Sequence, residues 1–154
     1  MSRQKPKRNK KYRPRPVGDA PMIMFIHAVT EVFSPIYAVI DEMETEGTVS
    51  VDNKGRAIYI DSDGYLVDLA DALYGLASAY QIFERRNGVD LKTDAVTRLA
   101  VRLDYSTAIT PLETREARIA LDLMRQSTMK MKTGEAIALL QDFQIKEALE
   151  KVAA

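Results

Sequence analysis

The sequence predicts an all-α helical bundle with one small inserted β-hairpin, preceded by a flexible basic N-terminal arm. Three observations predict it. Apolar residues recur at steps of three and four over most of the chain after residue 20, which is the period of a helix face. One stretch, TVSVDNKGRAIYID, breaks that period with two β-branched runs around a turn-forming tetrad. The first sixteen residues hold eight Lys or Arg, no acid and almost nothing apolar. The division that follows is an arm over 1–19 and one helical domain over 20–154, with the hairpin near 48–60. A chain of 154 residues can bury a core in one domain without staples.

The arm carries Arg3, Lys5, Lys7, Arg8, Lys10, Lys11, Arg13 and Arg15, with Tyr12 among them. Three prolines in PKRNKKYRPRP and the self-repulsion of like charges leave nothing to offset the entropy of ordering, so the arm is expected to be extended and disordered when free. Removing its eight cations from a chain balanced at 22 bases and 22 acids leaves 14 against 22, a net of −8. A basic arm is joined to an acidic body. The head NKKYRPRPV resembles the starts of small uncharacterised bacteriophage and prophage proteins. The resemblance covers about ten residues and implies a phage source, with the cytoplasm of a bacterial host as the expected location.

The first helix is expected in MIMFIHAVTEVF, apolar on nearly every side. Ser34-Pro35 reads as an N-cap followed by proline at the first helical position, opening a second helix through IYAVIDEMETEG that Gly47 stops. The hairpin follows, turning at Asp52-Asn53-Lys54-Gly55. Asp61-Ser62-Asp63-Gly64 then leads into the clearest helix, whose seam of Leu66, Leu69, Leu73, Leu76, Tyr80 and Phe83 runs about five turns to Asn87-Gly88. A seam so regular suits antiparallel bundle packing or a helix-mediated homo-oligomer.

A further helix starts at Thr93, with Val96, Leu99, Ala100 and Leu103 on its inner face. Thr110-Pro111-Leu112-Glu113 is a capping box with proline at the first helical position, opening a helix whose stripe includes Ile119 and Leu123. The last helix is expected from about Gly134 through AIALLQDFQIKEALEKV.

Catalysis and metal binding find no constellation. There is no Cys, and His27, the only histidine, lies in an apolar helix and reads as a structural, half-buried imidazole. Asp61-Ser62-Asp63-Gly64 resembles a calcium loop in composition, but the EF-hand register would put Tyr59 at the first ligand position. A turn and helix cap is the simpler reading. Asp68 and Asp71 could share a helix face as solvated acids. No phosphate loop or dinucleotide motif is present, so no enzyme activity, cofactor or metal is expected. The longest apolar stretch, PMIMFIHAV, has nine residues, so neither a membrane span nor a targeting signal is expected.

Charge is segregated beyond the arm. Residues 41–71 hold nine acids against Lys54 and Arg56, while residues 85–132 hold ten bases against six acids. Arg98 and Arg102, four apart, share a helix face and form a secondary basic surface. The expectation is a non-enzymatic accessory protein that binds nucleic acid non-specifically through the arm, with Tyr12 free to stack on a base. Two alternatives carry other partners. One is a protein-binding inhibitor of the anti-defence type, using the acidic 41–71 surface against a host protein. The other is a phage structural or assembly component. Helix, helix and hairpin in that order suggest a winged helix, but the acids of IDEMETEG would repel a DNA groove.

Overall fold

The computed structural model describes residues 22, 26–139 and 141, and among them the fold is a helical bundle with one two-stranded antiparallel hairpin. The elements are α1 (Ile26–Glu46), β1 (Ile58–Ile60), β2 (Leu66–Asp68), α2 (Leu69–Asn87), α3 (Thr93–Asp104) and α4 (Pro111–Lys130). A short helix, α5, covers residues 133–139. The arm and the far end of the last expected helix lie outside the described residues.

α1 is one helix where the sequence suggested two. Val29, Phe33, Ile36, Val39, Ile40 and Met43 form a single buried stripe that runs straight past Pro35. A proline inside a helix has no N–H for the carbonyl four residues back, here that of Glu31. Ser62 supplies the missing donor: its hydroxyl donates to the Glu31 carbonyl at 2.9 Å. Continuous burial on both sides of the proline outweighs one lost backbone bond, so Ser34-Pro35 opens no new helix. Gly47, at φ 70°, ends α1 and donates its N–H to the Met43 carbonyl.

The hairpin also sits further along than its sequence signature. The expected turn at 52–55 does form, with the Asp52 carboxylate accepting the N–H groups of Lys54 and Arg56 at 2.8 and 2.9 Å. It closes only an isolated bridge between Val51 and Ala57. Asp61-Ser62-Asp63-Gly64 repeats the same construction: Asp61 accepts from Asp63 and Tyr65 at 3.0 and 2.9 Å, and Gly64 adopts φ 86°. This second turn closes the true ladder, Ile58 opposite Asp68, Tyr59 opposite Val67, Ile60 opposite Leu66. The stretch is therefore a hairpin turn rather than a calcium loop.

α2 begins one residue after the ladder ends. Asp68 is its N-cap, accepting the N–H of Asp71 at 3.0 Å, so this aspartate serves the backbone rather than a pair of solvated acids. Leu66 consequently belongs to β2 and is 68% exposed, while Leu69, Leu73, Ala77, Tyr80 and Ile82 are buried. Leu76 and Phe83 are half-buried against the core. From Leu69 onward the seam packs inside the chain, where α2 lies against α3 and Tyr80 reaches Thr128 of α4 and Phe33 of α1.

α3 buries Val96, Leu99 and Ala100 as expected. Glu84, near the end of α2, fastens the connection by accepting the Leu91 N–H at 2.8 Å and the Thr93 hydroxyl at 2.6 Å. α4 carries the capping box in full, with Thr110 and Glu113 bonded reciprocally. Its stripe is rotated from the expected one: Thr114, Ala117, Leu121, Met124 and Thr128 are buried, Leu123 is half-buried, and Ile119 is exposed. α1 packs on α4, α4 on α3 and α3 on α2, and Tyr80 closes the circuit by hydrogen bonding Thr128 and lying 6.3 Å from the Phe33 ring.

Candidate functional site

The nine arm residues expected to bind nucleic acid, Arg3 through Arg15 with Tyr12, lie outside the described residues. The secondary basic face lies inside them, and both of its bases are ion-paired. Arg98 meets Glu116 at 3.1 Å and Arg102 meets Glu113 at 2.9 Å. The reason is register: bases four apart on α3 face acids three apart on the neighbouring α4. Glu113 also accepts the Thr110 N–H, and this bond, followed by Arg102, holds its carboxyl below the usual range.

The acidic 41–71 block is engaged in the same way. Arg118 of α4 reaches α1, bonding Asp41 and, at 3.2 Å, Glu44, and both contacts stabilise its guanidinium charge. Asp52 and Asp61 build the two turns, and Asp68 caps α2 while facing Arg56 at 3.5 Å. Five of the nine acids thus hold the fold together, leaving Glu42, Glu46, Asp63 and Asp71 outside any ion pair or side-chain cap among the described residues. The acidic 41–71 block is divided between acids that serve the fold and acids that do not.

His27 stands in the first turn of α1 and is exposed, against the half-buried position expected of it. The buried stripe of α1 starts at Val29, which turns residue 27 outward. No group of three or more His, Asp or Glu among the described residues could hold a metal. The same region offers no helix long and apolar enough to cross a membrane.

Two concavities stand out among the described residues. The smaller, between α1 and α4, is lined by Thr30, Phe33, Ser34, Tyr37, Arg118, Asp122 and Arg125. The Tyr37 hydroxyl donates to Asp122, and the Arg125 guanidinium lies 6.0 Å from the Tyr37 ring centroid. Burial first, and the Asp122 carboxylate second, push the phenol up to about 12. Tyr37 therefore stays protonated at neutral pH and is a donor, not a base. The arrangement cross-links two helices.

The larger concavity is a cleft of about 670 Å³ between the 47–57 segment and the α3–α4 connection. Met43, Val49, Ala57, Leu103 and Ile109 give it an apolar floor, and Arg102, Thr107, Thr110 and Arg115 stand among its polar groups. Its size is that of a ligand or side-chain pocket. Sequence reasoning missed it because the two walls are loops 50 residues apart. The one available signal was TVSV, a β-branched run left with a free outer edge.

No protein family, characterised protein or solved structure matches the chain. Geometry and charge alone therefore bear on its function.

Proposed function

We propose that this is a non-enzymatic, phage-type accessory protein that associates with nucleic acid, regardless of sequence, through its basic N-terminal arm. The observation that supports this most is the pairing of three arginines of the body with acids on neighbouring helices. Arg98, Arg102 and Arg118 are each held by glutamate or aspartate on a neighbouring helix. The eight cations of residues 1–16, with no acid among them, are then the densest block of positive charge in the chain. Polyanions are attracted to such a block by release of their condensed counterions. The anti-defence reading, in which the 41–71 acids imitate nucleic acid, is disfavoured because most of those acids already serve turns, caps and ion pairs.

The test compares full-length protein with a chain beginning at Gly18, using fluorescence anisotropy on labelled duplex and single strands. Binding by the full chain that disappears on truncation is the expected result. Failure of the full chain to bind at low salt overturns the proposal. Binding that survives truncation transfers the site to the body, and Arg98 and Arg102 become the first positions to substitute.

A further inference from the structure

The cleft between the 47–57 segment and the α3–α4 connection carries an inference independent of the arm. Its first wall is an open strand edge. Around the bridge of Val51 with Ala57, the ladder bonds run from Ile58 N–H to the Ser50 carbonyl and from Asp52 N–H to the Arg56 carbonyl, at 2.9 Å each. Antiparallel geometry then turns the N–H and C=O groups of Val49 and Val51 away from that partner. No hydrogen bond engages them among the described residues, and both residues line the cleft. Val51 is 58% exposed. An unpaired edge of this kind is a template for another extended chain.

The opposite wall and the charge narrow the occupant. Ala108 and Ile109 face the edge across the cleft, and their backbone groups are likewise unengaged among the described residues. Of the charged residues lining the cleft, Glu44 is held by Arg118 and Arg102 by Glu113. Arg115 is exposed and makes no ion pair among the described residues. The cleft therefore combines an apolar floor, an open backbone edge and one unmatched positive charge.

We propose that the Val49–Val51 edge takes up an extended acidic peptide segment of a partner protein as an added strand. An apolar side chain of the peptide fills the floor between Met43, Val49 and Ile109, and a carboxylate two or so residues away meets Arg115. Main-chain bonds supply affinity in this mode, and alternate side chains supply selectivity.

The test selects octapeptides from a random display library on the full chain, and then measures synthetic versions of the enriched sequences by fluorescence anisotropy. The expected sequences combine a large apolar residue with Asp or Glu at alternating spacing. Arg115→Glu should weaken them about fivefold and favour versions carrying Lys in place of the acid. Val51→Pro, which removes one edge N–H, should weaken them roughly tenfold. Because that proline could disturb the bridge, amide exchange on the unsubstituted chain provides the second readout: saturating peptide should slow exchange at Val49 and Val51. The proposal is overturned by a failure to enrich any sequence. It is equally overturned by peptides that ignore both substitutions and leave those two amides unprotected. Concentration-dependent dimerisation that Val51→Pro abolishes, with no peptide enriched, would assign the edge to a second copy and also overturn it.

Discussion

The Ser62 hydroxyl donates to the Glu31 carbonyl at 2.9 Å, and this carbonyl is the one Pro35 leaves without its helical partner. A hairpin turn thereby repairs a helix 31 residues away in sequence. The bond is exposed, so Ser62→Ala should cost about 0.5–1 kcal/mol, at the lower end of a typical hydrogen bond. Pro35→Ala restores an N–H to the same carbonyl and should stabilise the chain. In that background Ser62→Ala should cost clearly less. Urea melts of the four proteins form the cycle, and additive effects would show that the two donors do not share the carbonyl.

Leu73→Asp should unfold the protein, because Leu73 is 1% exposed in the middle of α2 and a buried, unpaired carboxylate costs several kcal/mol, about the stability of a small domain. Leu76→Asp should be milder, since that side chain is half-buried. Leu66→Asp should be tolerated, although the same heptad-like spacing includes it. Thermal melting of the three variants separates a helix starting at Leu69 from one continuing back through Leu66.

That contrast shows how far the sequence was legible. Helix periodicity identified the bundle, and the capping box at Thr110–Glu113 located the start of α4 without error, because a cap is a local arrangement with its own bonds. The errors fall where tertiary contacts decide. Pro35 stays helical because residues on both sides are buried together and a distant serine replaces its missing donor. Leu66 joins a strand because Asp61 and Gly64 form a second turn of the same design as the first. Arg98 and Arg102 pair with acids on α4, an arrangement that requires knowing which helices are neighbours. The cleft was invisible for the same reason, since neither of its loops signals the other.

Thr110→Ala should cost about 1 kcal/mol by removing the acceptor for the Glu113 N–H. The box also has a pH signature. Its Glu113 carboxyl is held below its ordinary value, chiefly by the Thr110 N–H, so its contribution is present above the unfolded glutamate value of about 4.3 and fades as pH falls through the lower folded one. Glu113→Gln keeps an acceptor for that N–H but loses the charge facing Arg102. The substitution should lower stability at neutral pH and flatten the fall below about pH 4.3. Denaturant melts between neutral and acid pH measure both effects, and an unchanged acid limb would remove Glu113 from the linkage.

The final prediction concerns the arm, whose cations outnumber those of any other sixteen-residue stretch. Residues 1–17 hold little that a core could use, so a chain beginning at Gly18 should melt nearly as the full chain does. Nucleic-acid affinity should behave oppositely, falling away with the arm. If about five of the eight cations meet phosphates, log affinity against log salt should have a slope of roughly −4 to −5 on duplex and a shallower one on single strands. The body, with 14 bases against 22 acids outside the arm, opposes the same phosphates, which places the expected dissociation constant in the micromolar range or weaker. Replacing arm cations in pairs with glutamine should reduce the slope by just under two per pair that contacts phosphate, because each contact contributes about 0.9. A slope that stays constant as cations are removed would mean that the arm does not contact the backbone. A slope that falls evenly across all pairs would mean that no single position is special, as a charge-driven grip requires.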